Sequence, residues 1–145
     1  MATTDGANSR EGRREHVDVL VVEDSFEMLQ LLVEFLREEG FGAVGAVNGD
    51  VALAVLRAKL RPSLILLDLK MPAMDGWQFC QELASDPELM DLPVAVLSAV
   101  AAPVHELPQR KNNAGYLMKP IDFEELLSKV RAHCTPPPAR AARAR

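Results

Sequence analysis

Four mostly apolar runs in this chain each stop at a residue able to do chemistry. Val17–Val22 runs into Glu23-Asp24, Leu64–Leu67 into Asp68, Pro93–Leu97 into Ser98, and Ala114–Met118 into Lys119. Apolar runs without polar alternation suit strands buried on both faces of a parallel sheet. In such a sheet the carboxyl ends share one edge, where open α/β sheets hold their sites. The four tips would then gather three carboxylates, a hydroxyl and an ammonium. Crowded carboxylates repel, and at neutral pH they need a cation. Hard oxygen donors with open positions suit Mg²⁺. A carboxylate beside that cation and a lysine is suited to accept a phosphoryl group, because both positive charges offset the charge spread over the transferring oxygens. The Ser98 hydroxyl can donate to one of those oxygens. Taken singly, each residue has an ordinary role. Asp68 is then a strand-end polar residue or a cap, Ser98 a satisfied hydroxyl, and Lys119 a surface charge.

The elements that must position these residues follow in order. Val17–Val22 reads as the first strand. Ser25 is a candidate N-cap, and Phe26, Leu29, Leu32, Val33 and Leu36 repeat at helical spacing. Gly40 suits the left-handed position that ends a helix. Ala43–Val47 is a short strand, and Asn48-Gly49-Asp50 turns and caps a helix carrying Val51, Leu53, Ala54 and Leu56, ending near Leu60-Arg61-Pro62. The Asp68 strand follows, then a loop marked by Pro72 and Asp75-Gly76, then a helix from Gly76 to Ala84. Pro93–Leu97 is a fourth strand. Between Ala99 and Asn113 a helix is expected, but Pro103 and Pro108 require it to be short, shifted or kinked, since a mid-helix proline costs about 3 kcal/mol. Ala114–Met118 is the last strand. Asp122 caps a final helix with Phe123, Leu126, Leu127 and Val130 inward, and Thr135-Pro136-Pro137-Pro138 stops it. Five strands alternating with helices predict an α/β fold with a five-stranded parallel sheet and helices on both faces.

One motif misleads. Gly40-Phe41-Gly42-Ala43-Val44-Gly45 matches the dinucleotide pattern G-x-G-x-x-G. That loop must follow a strand and open a helix, so that pyrophosphate meets the helix N-terminus. Here it follows a helix and enters a strand, so it is read as a cap and small strand residues, and no P-loop is found.

Composition narrows the class. With 145 residues and 48% hydrophobic side chains, the chain fits one domain with a full core. No apolar run approaches the roughly 18 residues needed to cross a bilayer, and residues 1–16 lack the apolar segment of a secretory signal. Cys80 and Cys134 are too few and too distant for a disulfide framework and are read as ordinary helix residues, with a reducing cytoplasm as the expected setting. From Val17 to Cys134 there are 18 acidic and 10 basic side chains, a net of −8. This acidic body argues against direct nucleic-acid contact. The flanks, 1–16 and the Pro/Arg-rich 135–145 with Arg140, Arg143 and Arg145, are expected to be disordered.

The pieces Val21-Val22-Glu23-Asp24-Ser25, Leu66 to Gly76, Leu97-Ser98-Ala99 and Tyr116-Leu117-Met118-Lys119-Pro120 together resemble the receiver domain of bacterial two-component response regulators. The resemblance covers Val17 to about His133 and implies a flavodoxin-like strand order 2-1-3-4-5. It implies that Asp68 accepts a phosphoryl group from a phosphohistidine on a histidine kinase or phosphotransfer protein. It further implies that Asp24, Asp68 and the backbone carbonyl of Lys70 ligate Mg²⁺, with Glu23 acting mainly through water, and that Lys119 pairs with the acceptor or its phosphate. Ser98 would move toward the phosphoryl group, Tyr116 would rotate inward behind it, and the Lys119-Pro120 bond would be cis. The switched surface would be the fourth expected helix, the last strand and the last helix, acting on a protein partner, with the chain a monomer or a phosphorylation-dependent dimer. The sequence leaves little chain after Cys134 for an output module, which predicts a stand-alone regulator rather than a transcription factor. An enzyme turning over an aspartyl phosphate is disfavoured, because the position two residues after Asp68 holds Lys70 rather than an acid. A phosphorylation-independent interaction module is the alternative, kept open by Pro103 and Pro108.

Overall fold

The computed structural model describes residues 15–68, 76–98 and 113–134. In chain order the elements are β1 (Glu15–Val22), α1 (Phe26–Glu38), β2 (Ala43–Ala46), α2 (Gly49–Arg57), β3 (Leu60–Asp68), α3 (Gly76–Ala84), β4 (Val94–Ser98), β5 (Asn113–Met118) and α4 (Phe123–His133). The strands form one sheet in the order β2-β1-β3-β4-β5, every neighbouring pair parallel. The expected helix between Ala99 and Asn113, with Pro103 and Pro108, lies outside the described residues, as do residues 1–14, the C-terminal flank 135–145 and the loop that carries Lys70. Glu15 and His16, expected in the disordered flank, instead open β1 because they pair with Leu60 and Arg61 of β3.

The unbroken apolar runs resolve into two alternations. Val19, Val21, Leu64, Leu66, Ala95 and Leu97 face one core, closed by α1 and α4. Leu20, Val22, Ile65, Leu67, Val94 and Val96 face the other, closed by α2 and α3. A strand read as uniformly apolar is therefore a period-two strand with both faces covered. Each helix contributes one stripe. Leu29, Leu32, Val33 and Leu36 of α1 are buried, as are Leu126, Leu127 and Val130 of α4. Outside this core, Phe35 and Phe123 stack with ring centroids 4.4 Å apart, tying α1 to the start of α4.

The caps are those the sequence predicts. The Ser25 hydroxyl accepts from the Met28 N–H, the Asn48 amide oxygen accepts from the Val51 N–H, and Asp122 accepts from the N–H groups of Glu124 and Glu125. Gly40 has φ +101. Its N–H donates to the Arg37 carbonyl while the Phe41 N–H reaches Leu36, a double bond pattern that closes the C-terminus of α1. Gly45 lies in β2, and a Cβ there would meet the Leu29 side chain at 2.8 Å, so its smallness serves helix packing.

Two boundaries differ from the sequence reading by more than one residue. Helix α2 stops at Arg57, because Lys59 turns left-handed at φ +84, and Leu60-Arg61-Pro62 belong to β3. Strand β1 starts at Glu15 rather than Val17, pairing Glu15 with Leu60 and Val17 with Pro62. Proline misleads here because β4 joins β3 only from Ile65 onward, so β3 is locally an edge where a missing N–H is tolerated. Cys80 sits in α3 as expected, but Cys134 follows α4 as its extended cap, its thiol donating to the Asp18 carbonyl. Both cysteines are free and buried.

Truncating Leu66, which is fully buried at the centre of β3, is expected to lower the unfolding free energy by about 2–5 kcal/mol. Gln30→Ala, on the exposed face of α1, should change it by no more than about 0.5 kcal/mol. Urea titrations of both variants check this, and equal shifts would contradict the layered core.

Candidate functional site

The parallel register brings the strand tips level. Val22 pairs with Leu67 across β1 and β3, Asp68 with Leu97 across β3 and β4, and Ser98 with Met118 across β4 and β5. Glu23, Asp68 and Ser98 are all buried, at 1%, 6% and 5% exposure, whereas Asp24 is exposed. Polar side chains this deep are uncommon unless they are paired or functional.

Lys119 joins the acids. Its Nζ lies 3.3 Å from Glu23 Oε1 and 3.5 Å from Asp68 Oδ2. The backbone holds it there, since the Lys119 N–H donates to the Ser98 carbonyl at 2.7 Å and the following Lys119-Pro120 bond is cis. One carboxylate oxygen from each of Glu23, Asp24 and Asp68 falls within a 4.8 Å cluster. Glu23 Oε1 is buried and accepts no hydrogen bond, and the Lys119 ammonium lies 3.3 Å from it. Three hard oxygen donors, one of them buried and unsatisfied as an acceptor, fit a small divalent cation such as Mg²⁺. Tyr116 is half-buried against the α2–α3 core, on the strand beside that of Ser98.

Electrostatics single out Glu23. Burial pushes its carboxyl up from 4.5 to about 7, the Asp68 carboxylate adds to the rise, and Lys119 and the Ser25 backbone N–H oppose it. The Ser25 N–H donates to Glu23 Oε2 at 3.3 Å, which leaves Oε1 turned toward Lys119. Sequence reasoning missed this second role of Ser25. The capping pattern itself carried the signal, because an N-cap has extended backbone and its own N–H is not part of the helix.

Of the residues expected at the site, Glu23, Asp24, Asp68 and Lys119 come together, and Ser98 stands on the adjoining strand tip. The Lys70 carbonyl lies outside the described residues.

Comparison with known proteins agrees in extent and kind. A sequence model described as the response regulator receiver domain matches residues 19–131. A DNA-binding dual master transcriptional regulator of Synechocystis is 36% identical over 115 residues, which is 79% of this chain and 47% of that protein. The chain spans about half the length of the DNA-binding curated relatives it matches. Among solved structures, the signal receiver domain of a histidine kinase from Syntrophus aciditrophicus superposes with a TM-score of 0.69 at 32% identity, covering 80% of this chain and 88% of that one. The response regulator TrrA of Thermotoga maritima, solved in complex with Mg²⁺ and BeF, gives a TM-score of 0.70 at 28% identity, covering 83% of this chain and 99% of that one.

The raised Glu23 carboxyl has a pH consequence. Between 4.5 and about 7 the folded chain holds a proton that the unfolded chain has released. This contribution to stability is fully present below 4.5 and is lost as pH rises through about 7. With divalent ions removed, the loss across that window is expected to be on the order of 3 kcal/mol. Glu23→Gln should flatten it, as read from urea midpoints at several pH values. A variant whose pH slope matches wild type would contradict the assignment.

Proposed function

The chain belongs to the response regulator receiver domain family, and from that membership we propose that Asp68 is its phosphoacceptor. The observation that carries this reading is the Lys119 ammonium placed between Glu23 and Asp68 on the sheet edge. An Asp68 carboxylate oxygen attacks the phosphorus of a phosphohistidine on a histidine kinase or phosphotransfer protein. The oxygen–phosphorus bond forms as the phosphorus–nitrogen bond breaks, and its electron pair returns to the imidazole, which takes up a proton. Bound Mg²⁺ would neutralise charge on the transferring oxygens. Asp24 and Asp68 would hold the cation with the Lys70 carbonyl, and Glu23 would hold it mainly through water. Lys119 pairs with the acceptor and then with its phosphate, and the Ser98 hydroxyl donates to a phosphoryl oxygen.

The readout is a switch rather than turnover. Ser98 and Tyr116 lie on adjacent strands. Movement of Ser98 toward a new phosphate opens space into which Tyr116 turns, changing the surface around β5 and α4 for a protein partner. A body with a net charge of −8 from Val17 to Cys134 repels nucleic-acid phosphates, so the surface meets protein. It works in the cytoplasm, where kinase and phosphodonor are found.

Intact mass after exposure to acetyl phosphate tests this. Wild type with Mg²⁺ should gain one phosphoryl group, and neither Asp68→Asn nor wild type in EDTA should gain it. Because rapid hydrolysis can hide an adduct, thermal melting with beryllofluoride and Mg²⁺ is the companion measurement. No adduct and no melting shift would sink the phosphoacceptor reading in favour of a phosphorylation-independent interaction module.

A further inference from the structure

Strand β5 contains one residue more than its partner needs. Asn113 pairs with Val94 and Tyr116 with Val96, so β5 advances three residues while β4 advances two. The extra residue falls at Ala114-Gly115, and Gly115 has φ +91. Two side chains fix this bulge. The Gly115 N–H donates to Asn113 Oδ1 at 2.7 Å, and Lys129 of α4 donates its Nζ hydrogen to the Ala114 carbonyl at 2.9 Å. A Cβ on Gly115 would lie 3.0 Å from that Nζ.

The bulge changes which face later side chains occupy. Ala114 and Leu117 both pack on the α1–α4 core, although they are three residues apart, while Tyr116 packs on the α2–α3 core. An unbroken strand places residues 114, 116 and 118 on one face and 117 and 119 on the other. With the extra residue, 117 and 119 rejoin the face of Ala114. That is the face of Val21 and Leu66, whose alternation continues into Glu23 and Asp68. Lys119 reaches the acids because the strand has slipped by one residue before it arrives.

We infer that Gly115 and Lys129 are positioning residues for phosphoryl transfer: they hold the β5 bulge that delivers Lys119 to the acidic cluster and Tyr116 to the opposite face. The inference rests on the phosphoacceptor reading for its kinetic consequence, and its geometric consequence is independent of it. In the sheet β5 pairs with β4 and not with β1 or β3, so loss of the bulge is expected to leave the acids in place.

The test compares wild type with Gly115→Ala, Gly115→Asn and Lys129→Met. Alanine is strained at positive φ, whereas asparagine tolerates that region. Gly115→Ala and Lys129→Met are expected to slow phosphorylation by acetyl phosphate on the order of tenfold or more at saturating Mg²⁺. Calorimetry should show Mg²⁺ affinity no weaker than wild type, and Gly115→Asn should restore most of the rate. In crystals of Gly115→Ala or Lys129→Met, Lys119 Nζ should lie beyond roughly 4 Å from Asp68, outside ion-pair range. Unchanged rates in folded variants, rate and Mg²⁺ affinity falling together, or Lys119 still in place in both crystals would overturn the inference. If wild type itself accepts no phosphoryl group, the receiver chemistry fails and the crystal distance alone decides the role of the bulge.

Discussion

Everything at the sheet edge depends on one buried arrangement of charge, the Lys119 ammonium set between Glu23 and Asp68. Both carboxyls are almost fully buried, and an isolated carboxylate at that depth costs several kcal/mol. A single ammonium cannot serve both acids equally. Burial, reinforced by the Asp68 carboxylate, raises the Glu23 carboxyl to about 7, and Lys119 beside it opposes the rise. A proton and the lysine compete for the same oxygens, and the acidic cluster also fits a divalent metal.

The scaffold meets this demand through register rather than through local motif. Glu23, Asp68 and Ser98 come from three strands that are neighbours in the sheet but up to 75 positions apart in the chain. Parallel pairing levels the three tips, and two cores lock the pairing by gripping alternate residues of each strand. A slip of one position would move Leu66 and Leu67 to the wrong cores and turn Asp68 away from Lys119. The interior that stabilises the sheet and the geometry that aligns the acids thus have one physical cause.

Much of this was legible in the sequence, for identifiable reasons. Doubly buried strands leave unbroken apolar runs, and a charge that stops such a run marks the sheet edge. Ser25, Asn48, Asp122 and Gly40 announced their caps because each offers something few residues can, a short acceptor or a left-handed backbone. Pro62 misled, since its effect depends on whether a neighbouring strand reaches that level, and β4 starts later. The β5 bulge left no periodic trace. Asn113, Gly115 and Lys129 act through backbone groups, and Lys129 comes from a helix fourteen positions beyond Gly115. Sequence periodicity reports what faces a core, and it is silent on hydrogen bonds that bend a strand.

The two halves of the site are held differently. The acids stand on β1 and β3, interior strands with neighbours on both sides and their apolar tips fully buried. Tyr116 stands on β5 and Lys119 directly follows it, at the edge of the sheet, with half-buried residues and a bulge kept in shape by a few polar contacts. A binding pocket gains from rigidity because its oxygens must stay close despite repulsion. The switch proposed above needs an element with a second conformation within a few kcal/mol, and segments with few buried apolar contacts are the ones that open most cheaply. Placing the lysine at the end of the edge strand has a further effect. Any event that draws Lys119 toward Asp68 also pulls on Ser98 through the Lys119 N–H, and on Tyr116 three residues earlier. The charge that completes the site is thereby tied through the backbone to both β4 and β5.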